Sequence, residues 1–389
     1  MKDNSAASKA IADAQAMMRL GDTAGALQHL TEANDSIPKH LNIVMNLALV
    51  YRSRGELGTA LKFLDAALAI DPYSFLALLS KGSTLEQLGR PRQAAEIYRN
   101  AIKIAPSDEQ LPASLVTPLT HARSMVKNQS EEMADFLLET VSDLLEDQPP
   151  MDRQRALECL ELSAGTRKAY QSEPLEFQYP RLPAIPFFER THFPWFTTLE
   201  GATDMIVREL KGLIHDDMPG FSPYVTYAPG TPENQFASLN NSDDWRSLWL
   251  WKDGERQQGA IDKCPNTSAL LKELPLCDQD GFAPTALFSA LAPRTRIPPH
   301  TGSTNTRLLV HLPLILPGPA GFRVGNEVRS WKLGEAWAFD DTIEHEAWND
   351  ADQTRIIMIF DFCNPLLSEG ERDIVRSLLL SKREWLRET

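Results

Sequence analysis

The chain has 389 residues and a formal net charge of −14, with 42% hydrophobic and 24% charged residues. This length exceeds one typical domain, and the apolar content is sufficient for buried cores, so we expect two or three globular domains. The acidic excess argues against general binding to nucleic acids or to anionic lipid surfaces, because both need clustered Lys and Arg.

The four cysteines, Cys159, Cys264, Cys277 and Cys363, are widely spaced. Such spacing predicts neither a disulfide framework nor a zinc site, and it favours a reducing compartment. The first residues contain no unbroken apolar stretch, and no segment approaches the roughly 18 apolar residues of a membrane helix. We therefore expect a soluble, cytoplasmic protein.

Small residues and prolines recur every 34 residues in the first part of the chain. The aligned columns are Gly21, Gly55 and Gly89, then Ala26, Ala60 and Ala94, then Pro38, Pro72 and Pro106. This period resembles the tetratricopeptide repeat, a unit of two helices. Glycine suits the turn between the helices, and proline ends the second helix because it lacks a backbone donor. We predict three repeat units in residues 1–106.

Residues 107–171 also have a helical pattern, with an apolar stripe in MADFLLETVSDLL, and predict a helical cap. Arrays of this kind present a concave groove for an extended peptide or a partner helix. We expect a peptide or protein partner in this groove. The alternative is an array that serves only as a scaffold or as a dimerisation element.

Residues 172–190 are rich in proline and aromatic residues and predict a linker to a second domain. One helix is predicted near Thr203–Ile214. Short apolar runs then alternate with turn residues, most clearly in ALFSALA, TRLLVHLPLIL, EAWAFDD and RIIMIFDFC. Such runs predict a jelly roll over residues 191–366. A last helix, capped by Ser368, is predicted in residues 367–389, so the fold class is multidomain α + β.

His300 and His345 lie near strand ends in the β-rich part. Two histidines from separate strands of a jelly roll can bind Fe(II). The usual oxygenase site adds a carboxylate two residues after the first histidine, where this chain has Gly302. A histidine near a strand end is also common as an ordinary polar residue, so the spacing by itself leaves metal binding open.

Three segments carry a resemblance to a known family. They are FSALAPRTRIPPHTGSTNTRLLVHLPL, RVGNEVRSWKLGEAWAFDDTIEHEAWNDADQTRIIMIFDFCNP and the W-x4-L-W-x2-G run from Trp245 to Gly254. They resemble the aspartyl/asparaginyl β-hydroxylases, which are Fe(II)- and 2-oxoglutarate-dependent oxygenases on a double-stranded β-helix. Members of that family also carry tetratricopeptide repeats ahead of the oxygenase domain, so the architecture agrees.

The resemblance implies a role for each matching residue. Iron would be held by His300 and His345 alone, with water at the vacant carboxylate position, and Asp341 would hydrogen-bond an iron-bound water. Arg355 would bind the distal carboxylate of 2-oxoglutarate, for which a planar guanidinium is suited. The other implied residues of the co-substrate pocket are Ser289, His311 and Trp245.

The segment Arg307-Leu-Leu309-Val-His311 departs from the family. Members that hydroxylate aspartate have Arg-x-Arg-x-His here, and the resemblance implies that Arg307 binds substrate. Leu309 cannot replace the second arginine, whose charge-assisted hydrogen bond is worth roughly 1.5–3 kcal/mol. An aspartyl side chain is therefore not a secure prediction for the substrate.

We expect a dioxygenase that hydroxylates an aspartyl- or asparaginyl-like residue of a peptide or protein bound in the repeat groove. One alternative is a hydroxylase of a free or carrier-tethered amino acid in biosynthesis. Another is an adaptor with an inactive oxygenase domain. A zinc protein is not favoured, because no further Cys or His lies at a suitable spacing around the histidine pair.

Overall fold

The structure is a computed structural model that describes residues 2–214, 218–232, 234–279 and 281–387. The chain divides into two compact units, Met1–Lys168 and Ala169–Thr389. The first unit is helical, and the second contains two antiparallel sheets with helices.

The first unit begins with three pairs of antiparallel helices, as the repeat predicts. Its helices are α1 (Lys2–Arg19), α2 (Thr23–Ser36), α3 (Leu41–Ser53), α4 (Leu57–Ile70), α5 (Phe75–Gln87), α6 (Pro91–Lys103), α7 (Ala113–Glu146) and α8 (Pro150–Ala164). The turn glycines Gly21, Gly55 and Gly89 have φ of 83°, 77° and 71°. These angles lie in the left-handed region of backbone conformation, which glycine adopts more easily than other residues. The regular spacing of the turns therefore follows from the spacing of the glycines.

Small residues allow the helices to pack closely. Ala26, Ala60 and Ala94 are fully buried between the helices. A Cβ atom built on Gly82 would overlap the ring of Tyr98, so the third pair needs a glycine there. The helical repeat predicted from the 34-residue period is therefore confirmed.

The second unit contains five α-helices, two short 3-10 helices (Arg190–His192 and Ala237–Leu239) and eleven strands among the described residues. The helices are α9 (Phe196–Gly201), α10 (Thr203–Lys211), α11 (Gln258–Ile261), α12 (Pro265–Glu273) and α13 (Glu369–Arg387). The strands are β1 (Ser222–Pro223), β2 (Trp245–Lys252), β3 (Glu255–Arg256), β4 (Ala286–Leu291), β5 (Thr295–His300), β6 (Arg307–Ile315), β7 (Ala320–Val324), β8 (Glu327–Ser330), β9 (Trp337–Phe339), β10 (His345–Asn349) and β11 (Arg355–Cys363).

Two antiparallel sheets face each other in this unit. The larger sheet has the order β1-β2-β4-β11-β6-β9, with β3 paired to β2, and the smaller has the order β5-β10-β7-β8. Strand β11 is buried on both faces because it is central in the larger sheet. Met358 and Phe360 pack with the helices, whereas Ile357 and Ile359 face the smaller sheet.

The segment 172–190, for which a linker is predicted, lies within the second unit. Phe177 forms a bridge with Thr304, and Phe187 forms one with Phe339. Phe187 is also buried, with 7% of its surface exposed. The aromatic residues of this segment therefore contribute to the core of the β-rich unit.

The C-terminal helix α13 begins with the predicted cap. The Glu371 amide donates to Ser368 Oγ at 3.3 Å, and the Ser368 amide donates back to Glu371 Oε2 at 2.8 Å. This reciprocal arrangement is a capping box. Residues 388–389 of the predicted segment lie outside the described residues.

A disulfide joins Cys277 to Cys363, with their Cα atoms 4.8 Å apart. The cysteine spacing did not predict it, because 86 positions separate the two residues in the chain. Disulfides are typical of oxidising compartments, so this bond counts against the reducing environment that the cysteine pattern favours. Cytoplasmic location stays a prediction. Among the described helices, none combines the length and the apolar composition that crossing a bilayer requires.

Candidate active site

A cavity of about 210 Å³ lies between the two sheets. Strands β2, β4, β6 and β11 line it from one side, and β5, β7 and β10 line it from the other. The predicted site residues in its wall are Trp245, Ser289, His300, His311, Asp341, His345 and Arg355. The structure therefore brings together all the residues implied by the resemblance except Arg307.

Strand alternation explains why these side chains converge. On β11, Arg355 has the same orientation as Ile357 and Ile359, both of which line the cavity. Ser289 on β4 is the register partner of Ile357, and His311 on β6 is the partner of Ile359. Residues 356–360 of β11 are all apolar, so Arg355 is a single cation on the face of the strand that meets the cavity.

His300 and His345 face each other at the ends of paired strands. His300 is the last residue of β5 and His345 is the first of β10, and the two are register partners. Their ring centroids are 4.0 Å apart. His300 Nδ1 lies 2.7 Å from the Pro298 carbonyl oxygen, and His345 Nδ1 lies 3.0 Å from that of Ile343.

These contacts determine which ring nitrogen is available. Each Nδ1 donates to a backbone carbonyl, so each Nε2 is left with its lone pair. Burial lowers the pKa of His300 to about 4 and lowers the pKa of His345 well below its usual range. Both imidazoles are therefore neutral near pH 7, as a metal ligand must be.

Asp341 occupies the space beside Gly302. A Cβ atom built on Gly302 would overlap the Asp341 carboxylate, and the Gly302 amide donates to the Asp341 carbonyl at 2.7 Å. Burial, together with the neighbouring Asp340, raises the pKa of Asp341 to about 8. The position that lacks a carboxylate in the sequence is thus filled by a carboxylate from another loop.

Arg355 is a buried cation with unused donors. Only 1% of its surface is exposed, and among the described residues its Nε and Nη1 have no hydrogen-bond partner. Its guanidinium carbon lies 5.1 Å from the ring centroid of Trp331. Burial lowers the pKa of Arg355 to about 9. Unpaired buried donors are rare in folded proteins and call for a ligand that accepts hydrogen bonds.

His311 extends this unpaired polar surface. It is buried, and its ring stacks on Trp331 with centroids 5.5 Å apart. Its Nδ1 has no hydrogen-bond partner within the described residues. Burial, followed by the charges of Arg355 and His300, lowers the pKa of His311 well below its usual range. The His311 ring is therefore neutral and can donate one hydrogen bond.

Trp245 and Ser289 form a hydrogen-bonded pair in the same wall as Arg355 and His311, because all four lie on strands of the larger sheet. Trp245 Nε1 donates to Ser289 Oγ at 3.0 Å, and Tyr224 stacks on Trp245 with centroids 3.9 Å apart. The Ser289 hydroxyl hydrogen is left to donate to a ligand, because its oxygen accepts from the indole.

Arg307 is the predicted residue that does not line the cavity. It lies on β6 with Leu309 and His311, but its Nη1 donates to Asp361 Oδ2 at 2.6 Å and to the Phe282 carbonyl at 2.5 Å. The Arg307 guanidinium therefore links two neighbouring strands through an ion pair and does not face the cavity. Leu309 does line the cavity. Substrate binding by Arg307 stays a prediction.

Sequence reasoning missed the residues at the cavity mouth. Phe236 lies edge-on against His300 with ring centroids 4.7 Å apart, and Gln235 Nε2 donates to the Thr301 carbonyl at 2.9 Å. Leu175 and Tyr224 also line the cavity. These residues belong to irregular segments or short strands, in which no periodicity marks a functional face.

Within the part of the chain that the structure describes, no group of three or more His, Cys, Asp and Glu side chains is arranged to hold a metal ion. The histidine pair, with its two free Nε2 atoms, therefore has no third protein ligand among these residues.

Family models match most of both units. The model of aspartyl/asparaginyl β-hydroxylases matches residues 202–365, and two tetratricopeptide models match residues 17–81 and 76–108. Among solved structures, the chain is similar to the first tetratricopeptide domain of Spaghetti (RPAP3) bound to an HSP90 peptide. That alignment has a TM-score of 0.27 and 16% identity, and it covers 30% of this chain and 89% of that one.

Curated relatives carry hydroxylase names. The chain is 32% identical over 224 residues to an ornithine lipid ester-linked acyl 2-hydroxylase of Rhizobium tropici, which covers 56% of this chain and 73% of that protein. It is 34% identical over 186 residues to the human aspartyl/asparaginyl β-hydroxylase, covering 46% of this chain and 24% of the human protein. The chain thus spans about a quarter of the length of that human relative. These matches confirm the resemblance seen in the sequence, and the chain belongs to the aspartyl/asparaginyl β-hydroxylase family.

Proposed function

We propose that this chain is an Fe(II)- and 2-oxoglutarate-dependent hydroxylase. One observation carries the proposal: a neutral histidine pair shares a cavity with Arg355, a buried cation whose Nε and Nη1 find no partner in the part of the chain that the structure describes. A metal site and a carboxylate site are both needed to bind 2-oxoglutarate next to iron. The cavity offers both.

The histidine pair suits Fe(II). His300 and His345 would hold the metal through Nε2, because each Nδ1 is engaged by a backbone carbonyl. Imidazole is a good ligand for iron, and an incomplete set of protein ligands leaves positions for a co-substrate and for dioxygen. The Asp341 carboxyl group, which fills the space beside Gly302, would form a hydrogen bond with water in the metal site.

The far wall suits the carboxylate of 2-oxoglutarate. Arg355 would donate charge-assisted hydrogen bonds to this carboxylate, for which its Nε and Nη1 have no partner among the described residues. The Ser289 hydroxyl would donate to the same group, and His311 would donate to the other carboxylate. The Trp331 ring packs against the face of the Arg355 guanidinium and would shield it from water.

The bound iron would supply activation of dioxygen, with 2-oxoglutarate as the source of two electrons, which is chemistry that no side chain provides. In balance, one dioxygen and one 2-oxoglutarate give succinate and carbon dioxide while one C–H bond becomes C–OH. One oxygen atom enters succinate and the other enters the product. The protein contributes orientation of the co-substrate and exclusion of bulk water from the cavity.

The test is succinate formation from 2-oxoglutarate by the purified protein with Fe(II) and ascorbate. We expect slow turnover without added substrate, and none with His345→Ala. If turnover is absent, calorimetry with metal-loaded protein and 2-oxoglutarate decides: binding supports a tightly coupled enzyme, whereas no binding contradicts the proposal and favours an adaptor with an inactive oxygenase domain.

The preferred substrate is a residue of a peptide or protein delivered by the tetratricopeptide array. An aspartyl side chain would lack a counter-charge: of the lining residues that the structure describes, Arg355 is the only Lys or Arg, and it lies in the predicted co-substrate pocket. Leu309 makes the wall apolar where the family has an arginine. We therefore favour an uncharged reacting group, such as an asparaginyl side chain, over an acidic one.

A second candidate substrate is an acyl chain. The relative from Rhizobium tropici is named an acyl 2-hydroxylase, and the apolar residues Leu175, Phe236 and Leu309 line this cavity. A free or carrier-tethered amino acid also fits a cavity of this size. Measuring succinate formation with asparaginyl peptides, aspartyl peptides, free amino acids and acyl-amino acids in parallel separates these classes, because the true class will stimulate turnover.

A further inference from the structure

The segment Ser172–Tyr179, here called the strap, crosses both loops that carry the candidate metal ligands. One loop, residues 301–305, follows His300, and the other, residues 340–344, precedes His345. The strap is part of the second unit. Four of its eight residues are exposed and none is fully buried, so hydrogen bonds rather than deep burial hold it in place.

The strap is bonded to the loop that follows His300. The Leu175 amide donates to the Gly302 carbonyl at 2.9 Å, and the amides of Glu176 and Phe177 donate to the Ser303 carbonyl at 3.0 and 3.1 Å. At its end, the Tyr179 amide donates to Asn305 Oδ1 at 2.8 Å, and Asn305 Nδ2 donates back to the Tyr179 carbonyl at 2.9 Å.

The same strap is bonded to the loop that precedes His345. The Glu173 amide donates to the Thr342 carbonyl at 2.7 Å. Ser172 Oγ donates to Asp340 Oδ2 at 2.9 Å, while Asp340 Oδ1 accepts from the amide and the hydroxyl of Thr342. The Asp340 carboxylate is buried, with 1% of the residue exposed, so each of these donors satisfies a buried charge.

We propose that the strap is a positioning element that sets the relative placement of His300 and His345. This inference rests on the proposed function, since it concerns the geometry of the proposed iron site. A site with only two protein ligands depends on the groups around it to orient those ligands. The strap ties the two ligand loops together, and its residue Leu175, which is 59% exposed, also lines the cavity.

The test uses matched pairs of variants in the full-length protein. Glu173→Pro removes the amide that bonds to Thr342, while Glu173→Ala changes only the exposed side chain. Ser172→Ala removes the hydroxyl that bonds to Asp340, while Ser172→Thr keeps a hydroxyl there. The first measurement is Co(II) binding, followed by the absorption spectrum of the bound cobalt, which reports its ligand geometry.

We expect Glu173→Pro to weaken Co(II) binding roughly tenfold and to change the cobalt spectrum, as loss of outer groups around a metal does. Glu173→Ala should stay within about twofold of the parent. Ser172→Ala should weaken binding by a smaller factor of roughly five, and Ser172→Thr should restore it. If Glu173→Pro does not fold, the comparison of Ser172→Ala with Ser172→Thr tests the positioning role by itself.

A second measurement needs no metal. Hydrogen exchange in the metal-free protein should accelerate in both loops, residues 301–305 and 340–344, on Glu173→Pro but not on Glu173→Ala. If the parent protein binds no Co(II), the proposed function is contradicted. Hydrogen exchange then still tests whether the strap holds the two loops in place. Unchanged exchange, or unchanged cobalt affinity and spectrum in Glu173→Pro and Ser172→Ala, would overturn the positioning role.

Discussion

Gly302 and Asp341 share one space: the carboxylate of Asp341 lies where any side chain at Gly302 would extend. The backbone joins the same two residues, through the Gly302 amide and the Asp341 carbonyl at 2.7 Å. The absence of a carboxylate at residue 302 is therefore enforced by packing. An aspartate could not be restored at Gly302 without displacing Asp341.

Gly302→Ala should lower the free energy of unfolding by about 1–3 kcal/mol, because the added Cβ overlaps the Asp341 carboxylate. Asp341→Ala in the same chain should recover much of that loss, which denaturant unfolding of the single and double variants would measure. Gly259→Ala is the matched control, because no atom lies near its added Cβ. Strictly additive effects of the two substitutions would show that residues 302 and 341 do not compete for space.

Arg355→Met should stabilise the protein without ligand while abolishing its binding of 2-oxoglutarate. The substitution removes buried donors that have no partner, and each such group costs about 1–3 kcal/mol. It also removes two charge-assisted hydrogen bonds to the co-substrate, so affinity should fall at least 100-fold. Thermal unfolding without ligand would measure the change in stability, and calorimetry would measure the loss of affinity for 2-oxoglutarate.

Arg294→Met is the control for that experiment. Arg294 pairs with Asp352 at the surface, with 64% of its side chain exposed, so its loss should change stability by no more than about 0.5 kcal/mol. If Arg355→Met binds 2-oxoglutarate as well as the parent does, Arg355 is not the carboxylate partner.

Leu309→Arg should give the cavity a cation for acidic substrates. Leu309 lines the cavity, and the family members that act on aspartate have an arginine at this position. We expect kcat/KM for an aspartyl peptide to rise at least tenfold relative to the matching asparaginyl peptide, since a charge-assisted hydrogen bond is worth roughly 1.5–3 kcal/mol. Leu309→Met adds no charge and should leave the ratio of the two kcat/KM values unchanged. If the ratio is the same in Leu309→Arg and Leu309→Met, residue 309 does not select between the two side chains.

Removal of the disulfide should destabilise the second unit. Replacement of both Cys277 and Cys363 by serine should lower the free energy of unfolding by about 2–4 kcal/mol, because the bond closes a long loop in the unfolded chain. The same replacement of Cys159, an exposed free cysteine, should have little effect. Alkylation of the unfolded, unreduced protein should label Cys159 and Cys264 alone; labelling of all four cysteines would show that the bond does not form.

Periodicity predicted the parts of the fold in which one residue type recurs on one face. The glycines at residues 21, 55 and 89 and the alanines between them predicted the helical pairs. The apolar run of β11 predicted a buried strand, with Arg355 as its one cation. Motif resemblance named His300 and His345, and the family comparison confirms the resemblance itself.

Contacts between residues distant in sequence were not predictable in this way. The bond from Cys277 to Cys363 spans 86 positions, and the ion pair between Arg307 and Asp361 depends on neighbouring strands of one sheet. Nothing in the composition of residues 172–190 distinguishes a free linker from the strap, because its hydrogen bonds use backbone amides, which every non-proline residue has.

The sequence by itself therefore determined the helical repeat, the buried strands and the residue types available for chemistry, because these depend on local spacing. Only the tertiary structure decided which of those residues meet. Pairing of β5 with β10 places His300 against His345, and packing leaves Asp341 beside Gly302 and Arg355 buried with unused donors. These relationships depend on the distance between strands, which the order of residues along the chain does not specify.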